Sequence, residues 1–109
     1  AIASYARALA IKPDFDLAWN NRGVALANLG RYEEAIASYA RALAIKPEPY
    51  QAWYNKAICY ALQGDVNKSI ENLQKAIDLN PEWREDAKTD SNFDRIRDDK
   101  RFHQLIQNL

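Results

Sequence analysis

The sequence predicts an all-α fold, an α-solenoid of stacked helix–turn–helix units, and three observations predict it. Residues 1–13, AIASYARALAIKP, recur letter for letter as residues 35–47, an offset of 34. The same offset pairs Trp19 with Trp53, Asn21 with Asn55, Gly30 with Gly64 and Ala42 with Ala76, and it spaces Pro13, Pro47 and Pro81 evenly. Within a period the apolar residues recur at helical spacing: Tyr32, Ile36, Tyr39 and Leu43 fall on one face, with Ala35 and Ala42 beside them. The breaks are chemical: Gly30 and Gly64 end one helix of each unit, and Pro47 and Pro81 close the period. A fixed period of this kind marks an array in which each unit buries its apolar face against its neighbours.

Helices are expected at 1–11, 15–29, 32–45, 49–63, 65–79, 82–88 and 99–108. The first is the second helix of a unit whose own first helix is missing, and its Ile2, Tyr5 and Leu9, with Ile11, form an unpartnered apolar edge. The helix at 15–29 takes its stripe from Ala18, Trp19 and Leu26 and ends at Gly30, which suits the left-handed position after a helix. The helix at 32–45 repeats the opening segment and stops before Pro47, since the residue preceding proline is pushed out of the α region. Helices 49–63 and 65–79 restate this pair, with Gly64 as the break and Asp65 as the N-cap of the second. Ala35, Ala42 and Ala76 allow close helix approach, while Trp19, Trp53, Tyr39 and Tyr60 are expected to fill the space between pairs.

The charge balance narrows the function. Fifteen Lys+Arg stand against fifteen Asp+Glu, a formal net charge of zero, so the basic excess that nucleic acid or an anionic membrane surface requires is absent. A tail patch of Arg95, Arg97, Lys100 and Arg101 is interleaved with Asp94, Asp98 and Asp99, which cancel its field. The single cysteine, Cys59, has no internal disulfide partner and reads as a small buried residue. His103 is the only histidine, so no metal cluster of His/Cys spacing is visible, and no cofactor or metal is expected. All three glycines serve as repeat punctuation, which leaves no phosphate loop. No catalytic set emerges, and the chain is not expected to be an enzyme.

At these residues the sequence resembles the tetratricopeptide repeat (TPR) family, whose unit of about 34 residues is a helix–turn–helix with preferred residues at set places. Residues 16–49 supply Trp19, Gly23, Gly30, Ala35, Tyr39, Ala42 and Pro47, and residues 50–83 supply Trp53, Tyr60, Gly64, Ala76 and Pro81. The departures are Arg22 and Lys56 in place of Leu, Ala57 for the first Gly, and Ser69 and Leu73 for Ala and the aromatic. The resemblance implies a right-handed superhelix organised as one domain: 1–15 the second helix of a truncated repeat, 16–49 and 50–83 full repeats, 84–109 a partial helix and a capping helix. The tail TDSNFDRIRDDKRFHQLIQNL lacks the repeat signature and resembles the closing segment of many bacterial members, so the chain is expected to be the C-terminal fragment of such a protein. Phe93, Ile96, Phe102, Leu105 and Ile106 are expected to cover the last apolar face, as a solenoid's polar cap must.

The resemblance further implies a protein-interaction scaffold that binds a partner polypeptide in the concave groove lined by each repeat's first helix. Carried onto this sequence, the groove positions are Leu17, Asn20, Asn21, Val24, Ala27 and Asn28, then Gln51, Tyr54, Asn55, Ile58, Ala61 and Leu62. Asn21 and Asn55 each lie two residues after a repeat's Trp and resemble the asparagine ladder with which some members grip extended chains, because an amide both donates to and accepts from a peptide backbone. The clamp that holds acidic C-terminal tails needs Lys and Asn one turn apart; those places hold Asn20 and Val24, then Tyr54 and Ile58. The groove should therefore prefer a partly apolar partner. The alternative is a self-associating module, a dimer or head-to-tail array through Ile2, Tyr5 and Leu9. A cytoplasmic location is expected, with the periplasm left open because the chain begins at Ala1 without an initiator Met.

Overall fold

Glycine fixes the tight turns at Gly30 and Gly64. In the computed structural model, which describes Ser4, Arg7 and residues 16–46 and 50–107, Gly30 and Gly64 adopt φ of 77° and 81°. At the first turn Gly30 N–H donates to Ala27 O at 2.9 Å and Arg31 N–H to Leu26 O at 2.9 Å. At the second, Gly64 N–H reaches Ala61 O at 3.0 Å and Asp65 N–H reaches Tyr60 O at 2.9 Å. This paired arrangement satisfies the last carbonyls of a helix and needs a left-handed residue that glycine adopts without a Cβ clash. It reverses the chain at the same point of each unit.

The helices so joined are α1 (Asp16–Asn28), α2 (Tyr32–Ile45), α3 (Tyr50–Gln63) and α4 (Val66–Leu79). Then follow α5 (Trp83–Thr89), a 3₁₀ segment (Ser91–Ile96) and α6 (Lys100–Gln107). Among the described residues every regular element is helical, and the architecture is the right-handed solenoid of helix–turn–helix units. Asp65 caps α4 as expected, its carboxylate accepting from Lys68 N–H at 3.2 Å. Asn80 closes α4 in an extended conformation (φ −148°, ψ 103°), as a residue before Pro81 must. The 3₁₀ segment is the one element absent from the sequence expectation; Asp90 starts it by accepting from Asn92 N–H at 2.9 Å.

α1 packs on α2, α2 on α3 and α3 on α4. Two apolar cores result. One joins Leu26, Ala35, Tyr39 and Leu43 to Ala52 and Cys59 of α3. The other joins Tyr54, Leu73 and Ile77 to the tail residues Phe93, Ile96, Phe102, Leu105 and Ile106, all of them buried. Trp53 packs against both. Burial follows the alanine pattern, since Ala35, Ala42 and Ala76 have no exposed surface. The aromatics split: Tyr39 is buried, whereas Trp19, Trp53 and Tyr60 are half-buried and lie under basic side chains. The edge Ile2, Tyr5 and Leu9, with Ile11, lies outside the described residues, as do Pro13 and Pro47.

The tail is held by directional bonds as well as by burial. Tyr54 stacks on Trp83 with ring centroids 4.3 Å apart and meets Phe93 edge-on at 5.6 Å. Arg97 donates to Lys88 O at 2.8 Å and Asp90 O at 2.6 Å, closing the C-terminal end of α5. Arg84 donates to Leu105 O at 3.0 Å. No helix among the described residues is long and apolar enough to cross a membrane.

Candidate functional site

Side chains of α1 and α3 flank a cleft. Its volume is about 340 Å³, and it is lined by Val24, Ala27 and Asn28 of α1 together with Asn55, Ile58 and Leu62 of α3. Six of the expected groove residues, Val24, Ala27, Asn28, Asn55, Ile58 and Leu62, therefore meet here, whereas Ala61 is fully buried. Val24 and Asn28 are exposed, while Asn55, Ile58 and Leu62 are half-buried. The floor comes from the first core, through Tyr39 and Cys59. Burial pushes the Cys59 thiol up to about 11, so the sulfur at the base of the cleft is a neutral apolar wall, not a nucleophile.

The remaining groove positions fall elsewhere. Leu17 is more than half exposed, at 54%, and Gln51 is exposed, but neither lines the cleft. Asn21 is half-buried and also outside it, so Asn21 and Asn55 are not gathered into one pocket. Neither amide makes a side-chain hydrogen bond among the described residues. Asn20 and Tyr54, expected on the open groove, are only 8% and 4% exposed and are closed to a partner. For Tyr54 the cause is the tail: its hydroxyl donates to Asp90 Oδ2 at 2.8 Å, and Trp83 and Phe93 cover its ring. Burial and the Asp90 carboxylate hold that hydroxyl's pKa above the ordinary tyrosine range. Asn20 is buried, and its Oδ1 has no hydrogen-bond partner among the described residues.

Sequence reasoning missed four lining residues: Tyr32, Tyr39 and Cys59, which it read as packing residues, and Asn92. Asn92 closes one end of the cleft from the 3₁₀ segment, and neighbouring Arg95 pins that segment by donating to Leu62 O at 2.8 Å. The only sequence signal was Asp90, two residues before an amide it caps. Chemically the cleft offers apolar walls (Val24, Ile58, Leu62) and three carboxamides (Asn28, Asn55, Asn92), each a donor and an acceptor. It presents no titratable pair for acid–base work. Among the described residues no group of His, Cys, Asp and Glu is arranged to hold a metal ion.

Comparison with known proteins places the fold in a family. The tetratricopeptide repeat family model matches residues 17–49 and 50–82, and a related TPR repeat model matches residues 1–30. Among solved structures, the MamA RS-1 ArsTM double mutant superposes with a TM-score of 0.70 at 20% sequence identity. That match covers 98% of this chain and 65% of that one, so this chain spans less than two thirds of its length. No curated protein sequence matches the chain.

Proposed function

The chain belongs to the tetratricopeptide repeat family, and on that premise we propose that it is a non-catalytic protein-interaction scaffold that takes a partner polypeptide along the α1–α3 cleft. The observation that carries this reading is the chemistry of the cleft: apolar side chains from two successive first helices alternate with the carboxamides of Asn28 and Asn55, which make no side-chain hydrogen bond among the described residues. Such a surface suits an extended, partly apolar segment, whose side chains meet Val24, Ile58 and Leu62 while its backbone bonds to Asn28 and Asn55. Asn21, further along α1, extends the amide row toward the N-terminal side. Tyr54 and Asn20 take no part, because both are buried.

The test is affinity capture with the chain and with an Asn21→Ala/Asn55→Ala double variant, each shown by circular dichroism to be folded. The expected result is a partner retained by the parent and lost by the variant, and lost equally with Val24→Glu, which puts a charge into the cleft wall. Recovery of the same proteins by all three baits would remove the cleft from the interaction and refute the proposal.

A further inference from the structure

The cleft between α1 and α3 is lined without charge. None of the described residues that line it is Asp, Glu, Lys, Arg or His, in a chain that is 28% charged. Its floor is neutral as well, because burial keeps the Tyr39 hydroxyl and the Cys59 thiol protonated. The polar groups it offers are carboxamides: Asn28 from α1, Asn55 from α3 and Asn92 from the 3₁₀ segment of the tail.

Neutrality is least expected from the tail. Eight of the twelve residues in 90–101 are charged, yet the side chain this stretch brings to the cleft is Asn92. Its charged neighbours are engaged in the cap's own bonds. Asp90 accepts from the Tyr54 hydroxyl at 2.8 Å and from Asn92 N–H at 2.9 Å. Arg95 donates to Leu62 O at 2.8 Å, and Arg97 donates to Lys88 O at 2.8 Å and Asp90 O at 2.6 Å. Phe93, the next residue, has no exposed surface, so the backbone that carries Asn92 is fixed on both sides. The Asn92 carboxamide itself is half-buried and makes no hydrogen bond among the described residues. A fixed backbone that presents a free donor and acceptor is a preorganised contact.

We propose that Asn92 is a specificity-determining residue of this cleft: with Asn28 and Asn55 it selects an uncharged stretch of partner polypeptide, its carboxamide bonding to the partner's backbone. The inference rests on the groove reading above and makes the cap part of the binding surface. A charged side chain seated against the floor would leave water and meet no opposite charge, whereas a backbone amide exchanges its water for a carboxamide. Because Asn92 is held by the cap and not by α1 or α3, a change there alters the selection and leaves the rest of the cleft in place.

The experiment is a selection of random dodecamers, displayed on phage between Gly-Ser linkers, on the whole chain and on its Asn92→Ala, Asn92→Asp and Val24→Glu variants, each shown by circular dichroism to be folded. The parent should select segments whose central positions lack Asp, Glu, Lys and Arg. Their affinity, read by fluorescence anisotropy on the synthetic peptides, should be lost with Val24→Glu and fall about three- to tenfold with Asn92→Ala, the scale of one neutral hydrogen bond. The Asn92→Asp bait should select a central Lys or Arg instead. Segments that are lost with Val24→Glu but carry charge at the centre, or that bind the parent and Asn92→Ala equally, overturn the inference and leave the groove reading standing. So does an Asn92→Asp selection that matches the parent's. Recovery of no segment, or of segments indifferent to Val24→Glu, overturns both.

Discussion

Gly23→Ala should destabilise this protein or stabilise it, depending on one residue in the next helix. Gly23 is buried in α1, and a methyl placed on its Cα would lie 2.5 Å from Tyr39 Cε1 and 2.7 Å from Tyr39 Cδ1. Carbon atoms in contact prefer about 3.5–4.0 Å, so the ring must retreat by about 1 Å in a core where it is only 2% exposed. Overpacking of this kind costs about 1–3 kcal/mol, while replacing a mid-helix glycine by alanine returns about 1 kcal/mol through backbone entropy. The net expectation is a loss of about 1 kcal/mol in the parent. The second repeat holds the compensated pair, with Ala57 at the place of Gly23 and Leu73 at that of Tyr39. In a Tyr39→Leu background, Gly23→Ala should therefore stabilise by about 0.5–1 kcal/mol relative to Tyr39→Leu alone. Urea unfolding of the four proteins of the cycle reads the coupling, expected at about 1.5 kcal/mol or more. Additivity within about 0.5 kcal/mol would refute the steric account and leave the glycine unexplained.

Other expectations follow from the same coordinates. Phe93→Ala removes a ring with no exposed surface that touches both Tyr54 and Phe102; it should cost about 3–5 kcal/mol, read by urea melts, and an unchanged midpoint would show that the tail is not part of the cooperative fold. Tyr54→Phe deletes the bond to Asp90 and should cost about 1–2 kcal/mol by the same assay. Cys59, held up to about 11 by burial, keeps its proton in the native state after an unfolded thiol has lost it near pH 8.5. Its contribution is thus complete below that pH and is lost as the pH rises toward 11. Between pH 7.5 and 9.5 the parent should lose about 1 kcal/mol more than a Cys59→Ala variant; parallel pH profiles would contradict this.

The legible part of the molecule was the part written twice. The span 32–45 is α2 to the residue, and Gly30, Gly64 and Asp65 perform the turn and cap roles expected of them. Those features depend on local chemistry, which a sequence carries in full. Tail residues Phe93 to Ile106 were legible as cap material because apolar spacing marks them, yet where they dock depends on contacts across more than thirty residues. Tyr54 shows the consequence. Its place in the period puts it on the groove, but the tail returns over that place: its hydroxyl donates to Asp90, and the Phe93 ring meets it edge-on. Asn92 entered the cleft by the same return.

The differences between the two repeats are volume-matched to their neighbours. In the first core, α3 contributes the small residues Ala52 and Cys59, and Tyr39 fills the space they leave, at the expense of any side chain on Gly23. In the second core the tail contributes Phe93 and Phe102, and the aromatic position shrinks to Leu73, which in turn admits a methyl at Ala57. Interiors pack near crystal density, so a large group entering from one element requires a small one on the facing element. Ser69 is fully buried yet satisfied, because its hydroxyl donates to Ala57 O at 2.8 Å. The two units are therefore not interchangeable despite their common backbone. The first is shaped to be followed by another repeat, and the second is shaped to be followed by the cap.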